Sequence, residues 1–256
     1  MVEDKSERVL VTRYLFVAMI ALGSCLAQTA EAGQQVYTLE KEIQRRVRMP
    51  YLLYLPAAYG SLDGPWPLIL YLHGGMGRGD DIERVMWYPV PKMLIENDTF
   101  PFIVVTPQCP AGEMWTDTEA LIALLDEIVS EYSVDPNRVY LMGYSMGGHG
   151  AWYLAYKHPD RFAAVAPMSG MTNVWWASRI KDIPVWAFHG AQDTLVPVSE
   201  TKDMVRALER EGGNVRVRID PERGHCPPSQ KEHEEIFQWF LEQSRTGRTT
   251  DETDSD

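Results

Sequence analysis

A chain of 256 residues, 45% apolar and 23% charged, is long for one small domain and short for two, and it can bury a core large enough to hold a precise site. The formal net charge of -12 argues against a nucleic-acid-binding surface, which needs clustered Lys and Arg, and disfavours anionic polymers as substrates.

The N-terminus reads as a targeting segment. Lys5, Arg8 and Arg13 precede an apolar run, Tyr14 to Leu22, that gives way to small residues. The run is shorter than the roughly 20 apolar residues that cross a bilayer. Leu22-Gly23-Ser24-Cys25 resembles a lipobox, which would put a lipid anchor on Cys25 and end the signal at residue 24. Cys25-Leu26-Ala27 and Ala30-Glu31-Ala32 offer sites for ordinary signal peptidase, and cleavage after residue 27 gives a free exported protein. A buried N-terminal helix is the competing reading. In the exported case the working domain sits in the periplasm or outside the cell, with membrane contact only through an anchor at Cys25.

From Val36 onward, strand-like and helix-like segments alternate. Tyr51 to Leu55 is a β-rich run ended by Pro56, and Gly60, Asp63-Gly64-Pro65 and Pro67 supply turn chemistry. Leu68 to Leu72 is continuously apolar, as expected for a strand buried on both faces. The same signature recurs at Phe102–Thr106, Val139–Met142, Phe162–Ala166 and Val185–Phe188, and Val215–Ile219 is a late strand. Helical patterns fit Asp81–Glu96, Thr118–Tyr132, Met146–Lys157, Ser199–Glu211 and Gln230–Gln243. In the second of these, Leu121, Leu124, Leu125 and Ile128 form one stripe. Asp135-Pro136-Asn137 reads as a turn. The alternation predicts an α/β domain over 36–245, with a mostly parallel sheet and helices on both faces. The tail from Thr246 carries four acids and one base and predicts an acidic disordered end, 246–256.

Chemistry-bearing motifs fall at the ends of these strands. His73-Gly74-Gly75-Met76-Gly77 closes the first buried strand, and Gly143-Tyr144-Ser145-Met146-Gly147-Gly148 joins a strand to a helix. The second is the G-x-S-x-G pattern in its validating context, with Ser145 as candidate nucleophile. Its glycines allow strand and helix to approach closely, and Gly148 and Gly150 extend the small face. A tetrahedral intermediate needs two preorganised N–H donors, expected from Met146 and Gly75. A plain glycine-rich turn is the competing reading of each motif alone.

A serine hydroxyl needs a base in reach and a carboxylate to orient that base. Asp193 follows the strand ending at Phe188, and Ser199 is the better candidate for capping the next helix. Of six histidines, His73 lies in the first glycine loop, His149 and His158 on the helix after Ser145, His189 just before Asp193 and His233 on the last helix. Only His225, after Gly224 in a loop, meets both the chain order serine–acid–histidine and a loop placement.

Tyr71-Leu72-His73-Gly74-Gly75, Pro107-Gln108-Cys109-Pro110, Gly143 to Gly148, His189 to Asp193 and Gly224-His225 together resemble the phospholipase/carboxylesterase group of the α/β-hydrolases. Within it they look most like the predicted-peptidase branch, related to feruloyl-esterase-like and polyhydroxybutyrate-depolymerase-like enzymes, over Tyr51 to Leu241. The resemblance implies an α/β-hydrolase fold and esterase activity with neither metal nor organic cofactor. Cys226-Pro227-Pro228 departs from the polar residues and Trp usual after the histidine. Cys109 and Cys226 both follow strands at the edge bearing the motifs, so in an oxidising compartment they are expected to form a disulfide.

About fourteen residues separate Met168 from Ile183, too few for a cap domain, so the site is expected to be open. Trp115, Trp175 and Trp176 lie in loops at the same edge and are candidate substrate-binding residues for a sugar or phenolic ring. The expected reaction is hydrolysis of short-acyl, aryl or carbohydrate esters, small or polymer-borne. A peptidase or amidase using the same residues is the main rival, and a non-catalytic binding protein on the same fold is a remoter one.

Overall fold

The computed structural model describes residues 38–42, 44–61, 64–95, 97 and 99–245. The signal segment, the Cys25 anchor and the tail 246–256 lie outside the described residues. The chain divides into two units, Met1–Arg45 and Arg46–Asp256. The described residues of the first unit are exposed and form no regular structure. No helix among the described residues is long and apolar enough to cross a membrane.

The second unit is a seven-stranded sheet in the order β1-β3-β2-β4-β5-β6-β7. The strands are β1 (Tyr51–Tyr54), β2 (Trp66–Leu72), β3 (Ile103–Pro107), β4 (Val134–Tyr144), β5 (Ala164–Met168), β6 (Val185–Gly190) and β7 (Val215–Asp220). β1 runs antiparallel to β3, and every other pair is parallel. The helices are α1 (Glu83–Met86), α2 (Pro89–Ile95), α3 (Thr118–Glu131), α4 (Met146–Lys157), α5 (Ala177–Ile180), α6 (Ser199–Arg210) and α7 (Gln230–Leu241).

The continuous apolar runs exist because both faces of the sheet are covered. Along β2, Leu68, Leu70 and Leu72 enter one core with α3, α4, α5 and α6, while Ile69 and Tyr71 enter a second with α2 and α7. β3 and β4 alternate in the same way, as the two-residue period of a strand requires. At roughly 1.5–3 kcal/mol per buried large side chain, these two layers supply the main drive to fold.

Three expectations are corrected. The pattern over Asp81–Glu96 is two short helices, because Pro89 sits in the first turn of α2, where its missing N–H costs nothing. Asp135-Pro136-Asn137 lies inside β4. There the partner register jumps from Trp66↔Val134 to Leu68↔Val139, so the polar triplet is a bulge, closed by the Asn137 N–H on the Asp135 carboxylate at 2.9 Å. Ser199 does not cap α6: it is the first helical residue, and Val198 holds the cap position with no side-chain bond. Only a short helical turn and α5 stand between β5 and β6, with no cap domain.

Candidate active site

Parallel strands bring their C-terminal ends, and the loops that follow them, to one edge of the sheet. The elbow at the end of β4 depends on contacts that no side chain could share. A Cβ on Gly147 would lie 1.8 Å from the Leu72 carbonyl oxygen, and one on Gly143 would lie 2.2 Å from that of Gly147. Between them Ser145 adopts φ 58° and ψ -117°, outside the regions that L-residues favour. That turn lifts the hydroxyl clear of the sheet.

His225 reaches Ser145 from β7, three strands away in sheet order, so its loop must cross the ends of β6 and β5. Gly190 makes the crossing possible, since a Cβ there would meet the Arg223 carbonyl oxygen at 2.2 Å. The Gln192 N–H donates to that same oxygen at 3.0 Å. The result is a continuous chain of hydrogen bonds: Ser145 Oγ lies 2.8 Å from His225 Nε2, and His225 Nδ1 lies 2.6 Å from Asp193 Oδ2. A carboxylate only accepts, so Nδ1 carries the proton and the Nε2 lone pair faces the hydroxyl.

Asp193 is buried, and its charge is balanced by donors on both oxygens. Oδ1 accepts the Leu195 and Val196 N–H groups, each at 2.9 Å, and Oδ2 accepts His225. His189 Nε2 stands 3.2 Å from Oδ2 and 2.9 Å from the Val196 carbonyl oxygen, so this nitrogen carries a proton, while its Nδ1 accepts from the Thr201 hydroxyl. Burial alone would raise the Asp193 pKa. The donors from Val196, His225 and Leu195 outweigh it and hold the carboxyl below its ordinary value.

The two expected oxyanion donors each open a helical turn. Met146 is the first residue of α4 and Gly75 the first of a 3₁₀ turn, Gly75–Gly77, and neither turn has a side-chain cap. The first N–H groups of a helix have no partner within it, so both turns leave donors for an anion. Around a Cβ built on Gly75, the nearest group within 4 Å is the Arg78 guanidinium, at 3.7 Å.

The three tryptophans part company. Trp115 is 2% exposed; its indole N–H donates to the His73 carbonyl at 2.9 Å, and its Cβ abuts Gly150. This corrects the expectation that it binds substrate: the ring is core. Trp176 is half-buried and stacked on Tyr156, with ring centroids 5.4 Å apart. Trp175 is 84% exposed on a loop tied to the elbow helix and to α6, through the Met171 oxygen on His149 Nδ1 at 3.1 Å and the Thr172 N–H on Glu200 at 3.0 Å. Met76 and Leu195, on neighbouring loops, are also exposed.

Cys109 and Cys226 are free thiols, contrary to the expected disulfide. The strands they follow, β3 and β7, are separated by four others, and the residues around them differ. Cys109 is buried in the core beside Arg78 and Glu113, which burial translates into a thiol pKa raised to about 11. Cys226 neighbours Tyr144, Arg223 and Asp220. Among the described residues no cluster of His, Cys, Asp or Glu could hold a metal ion.

A support behind His225 went unread in the sequence. Glu232 accepts from Arg223 at 2.7 Å and from the Ser229 N–H and hydroxyl, closing a capping box at the start of α7, and Arg223 also pairs with Asp220 at 3.1 Å. Ser229-x-x-Glu232 is the pattern that could have revealed it. Burial raises the Glu232 pKa, but the Arg223 and Ser229 bonds bring it below the ordinary value. Its stabilisation is therefore present above the ordinary carboxylate range and lost as pH falls through the lowered value. Replacing Glu232 with Ala is expected to cost about 2 kcal/mol, a fall in Tm of roughly 4–8 °C, read by thermal unfolding. An unchanged Tm would show that the box does not hold the loop.

Comparison with known proteins finds esterases. The family model described as "Putative esterase" matches residues 104–222, which include Ser145 and Asp193 and stop short of His225. The "Bifunctional acetylxylan esterase/xylanase XynS20E" of Neocallimastix patriciarum is 30% identical over 149 residues, 55% of this chain and 21% of that protein. The "Probable feruloyl esterase C" of Aspergillus terreus is 26% identical, over 75% of this chain and 72% of its own. A crystal structure of a thermostable esterase superposes with a TM-score of 0.64 at 30% identity, covering 78% of this chain and 60% of that one. The chain spans less than half the length of three of its curated relatives.

Proposed function

Because this chain belongs to the α/β-hydrolase superfamily, we propose that it is an exported serine carboxylesterase that cleaves short-acyl, aryl or carbohydrate esters through an acyl-enzyme. The observation that carries the reading is the unbroken relay from Ser145 Oγ through His225 to Asp193. As Oγ attacks the ester carbonyl carbon, its proton passes to His225 Nε2, and Asp193 stabilises the imidazolium that forms. The Gly75 and Met146 N–H groups receive the charge that develops on the carbonyl oxygen. Collapse of the tetrahedral intermediate breaks the C–O bond, and the leaving alcohol takes the proton from Nε2. A water then attacks the acyl-enzyme by the same route, releasing the acid and restoring Ser145.

The absence of a cap between β5 and β6 supports substrates whose acyl group is short or hangs from a polymer. Trp175, 84% exposed, supplies a flat apolar face for a phenolic or sugar ring. Export accords with the targeting pattern of the first residues and with one relative named as a secreted protein.

A substrate panel tests the reading. Acetate and butyrate p-nitrophenyl esters are expected to be cleaved faster than long-chain esters and far faster than peptide anilides. Preferential cleavage of the anilides would make the enzyme an amidase, and preference for long chains would contradict an open site. Trp175→Ala is expected to raise KM for aryl and sugar esters by roughly three- to tenfold, the worth of one aromatic contact, with little change for methyl acetate. An equal change for both would remove Trp175 from substrate binding.

A further inference from the structure

An oxyanion donor is useful only if its N–H is aimed before the reaction begins, and the peptide unit joining Gly74 to Gly75 shows what aims it. No described peptide is cis, so the Gly74 carbonyl and the Gly75 N–H point in opposite directions from one rigid plane. Fixing the oxygen therefore fixes the donor.

The Gly74 oxygen is held by three donors. The Tyr88 hydroxyl lies 2.9 Å away, the His73 Nδ1–H 2.7 Å and the Gly77 N–H 3.1 Å. His73 can donate in only one way, because its Nε2 accepts the Cys109 N–H at 3.1 Å, which locks the tautomer. The ring is buried between Tyr88 and Trp115, at centroid distances of 5.5 and 4.9 Å. Gln108 anchors the far end of the loop, donating to the Gly77 and Asp81 oxygens at 3.0 and 2.7 Å. Most of this network is buried scaffold. Tyr88 differs: it arrives from the segment between α1 and α2, and among the described residues its hydroxyl is the one side-chain donor on the Gly74 oxygen from beyond the His73–Gly77 loop.

We propose that Tyr88 is a positioning residue for catalysis: its hydroxyl pins the Gly74 carbonyl and thereby aims the Gly75 N–H at the oxyanion. The inference rests on the esterase reading above. It predicts that removing one oxygen atom, from a side chain outside the Ser145–His225–Asp193 relay, weakens stabilisation of the transition state while leaving ground-state binding intact.

Tyr88→Phe keeps the ring and removes only the hydroxyl. Full-length wild type and variant are compared on an ester and on the matched thionoester, whose C=S accepts hydrogen bonds weakly and draws little on the oxyanion donors. The variant is expected to lose roughly three- to tenfold in kcat on the ester, the worth of one hydrogen bond, with KM unchanged. The thionoester rate should hold, so the ester-to-thionoester ratio falls by the same factor. That ratio is independent of the fraction of enzyme correctly folded. Equal losses on both substrates, or an unchanged ratio, would overturn the positioning role while the esterase reading stands. A wild-type enzyme that turns over no ester would overturn the esterase reading itself, and this inference with it.

Discussion

Replacing Ser145 with Ala is expected to lower kcat on a short p-nitrophenyl ester by roughly 10⁴- to 10⁶-fold, the loss typical when a serine nucleophile is removed. The fold should survive, since the hydroxyl's contact in the resting protein is His225 Nε2 at 2.8 Å and the site is open. The backbone offers a second check. At φ 58° and ψ -117° Ser145 carries strain that Ala keeps and Gly relieves. Ser145→Gly should therefore be as inactive as Ser145→Ala yet more stable by about 1 kcal/mol in denaturant titration. Retained activity in both variants would place the nucleophile elsewhere, and equal stability would show that the turn stores no strain.

Asp193→Asn is expected to cost about 10⁴-fold in kcat, although the side chain keeps its size. The carboxylate does three things at once: it fixes the proton on His225 Nδ1, stabilises the imidazolium, and gathers the Leu195 and Val196 N–H groups. An amide can preserve part of the last role only. Its NH₂ would also face His225 and His189 as a donor, favouring the wrong tautomer. The pH dependence has a defined sign. The Asp193 pKa is depressed in the folded protein, so its contribution is complete above the ordinary carboxylate value of about 4 and fades only as pH falls through the lowered one. Wild-type activity should accordingly show no loss from Asp193 protonation at or above that ordinary value. A variant retaining more than about a tenth of wild-type kcat would remove Asp193 from the relay.

Short-range signals made most of the fold and the reacting groups legible. Leu68–Leu72 and Val139–Met142 read as doubly buried strands because every residue in them is apolar, and the two cores account for both faces. Gly143 and Gly147 read as an elbow because the close approach they permit leaves its mark within five residues. Contacts between distant segments stayed hidden. Trp115 was legible as a loop aromatic, but its burial follows from Gly150 and the His73 carbonyl, which the chain brings from 35 and 42 positions away. The bulge at Asp135–Asn137 looks like a turn locally and is a strand only because Trp66 pairs alongside it. Tyr88 carries no motif of its own, since it acts through an atom fixed by another loop. The two cysteines looked paired because both follow strands at the same edge, whereas the strand order sets β3 and β7 far apart.

The account stands most directly on the reactivity of one hydroxyl. Treating the full-length protein with a fluorophosphonate and mapping the adduct by peptide mass spectrometry is expected to give one phosphonyl group per chain, on Ser145, with no labelling in His225→Ala. Modification at another residue, or full labelling of Ser145 without His225, would contradict it.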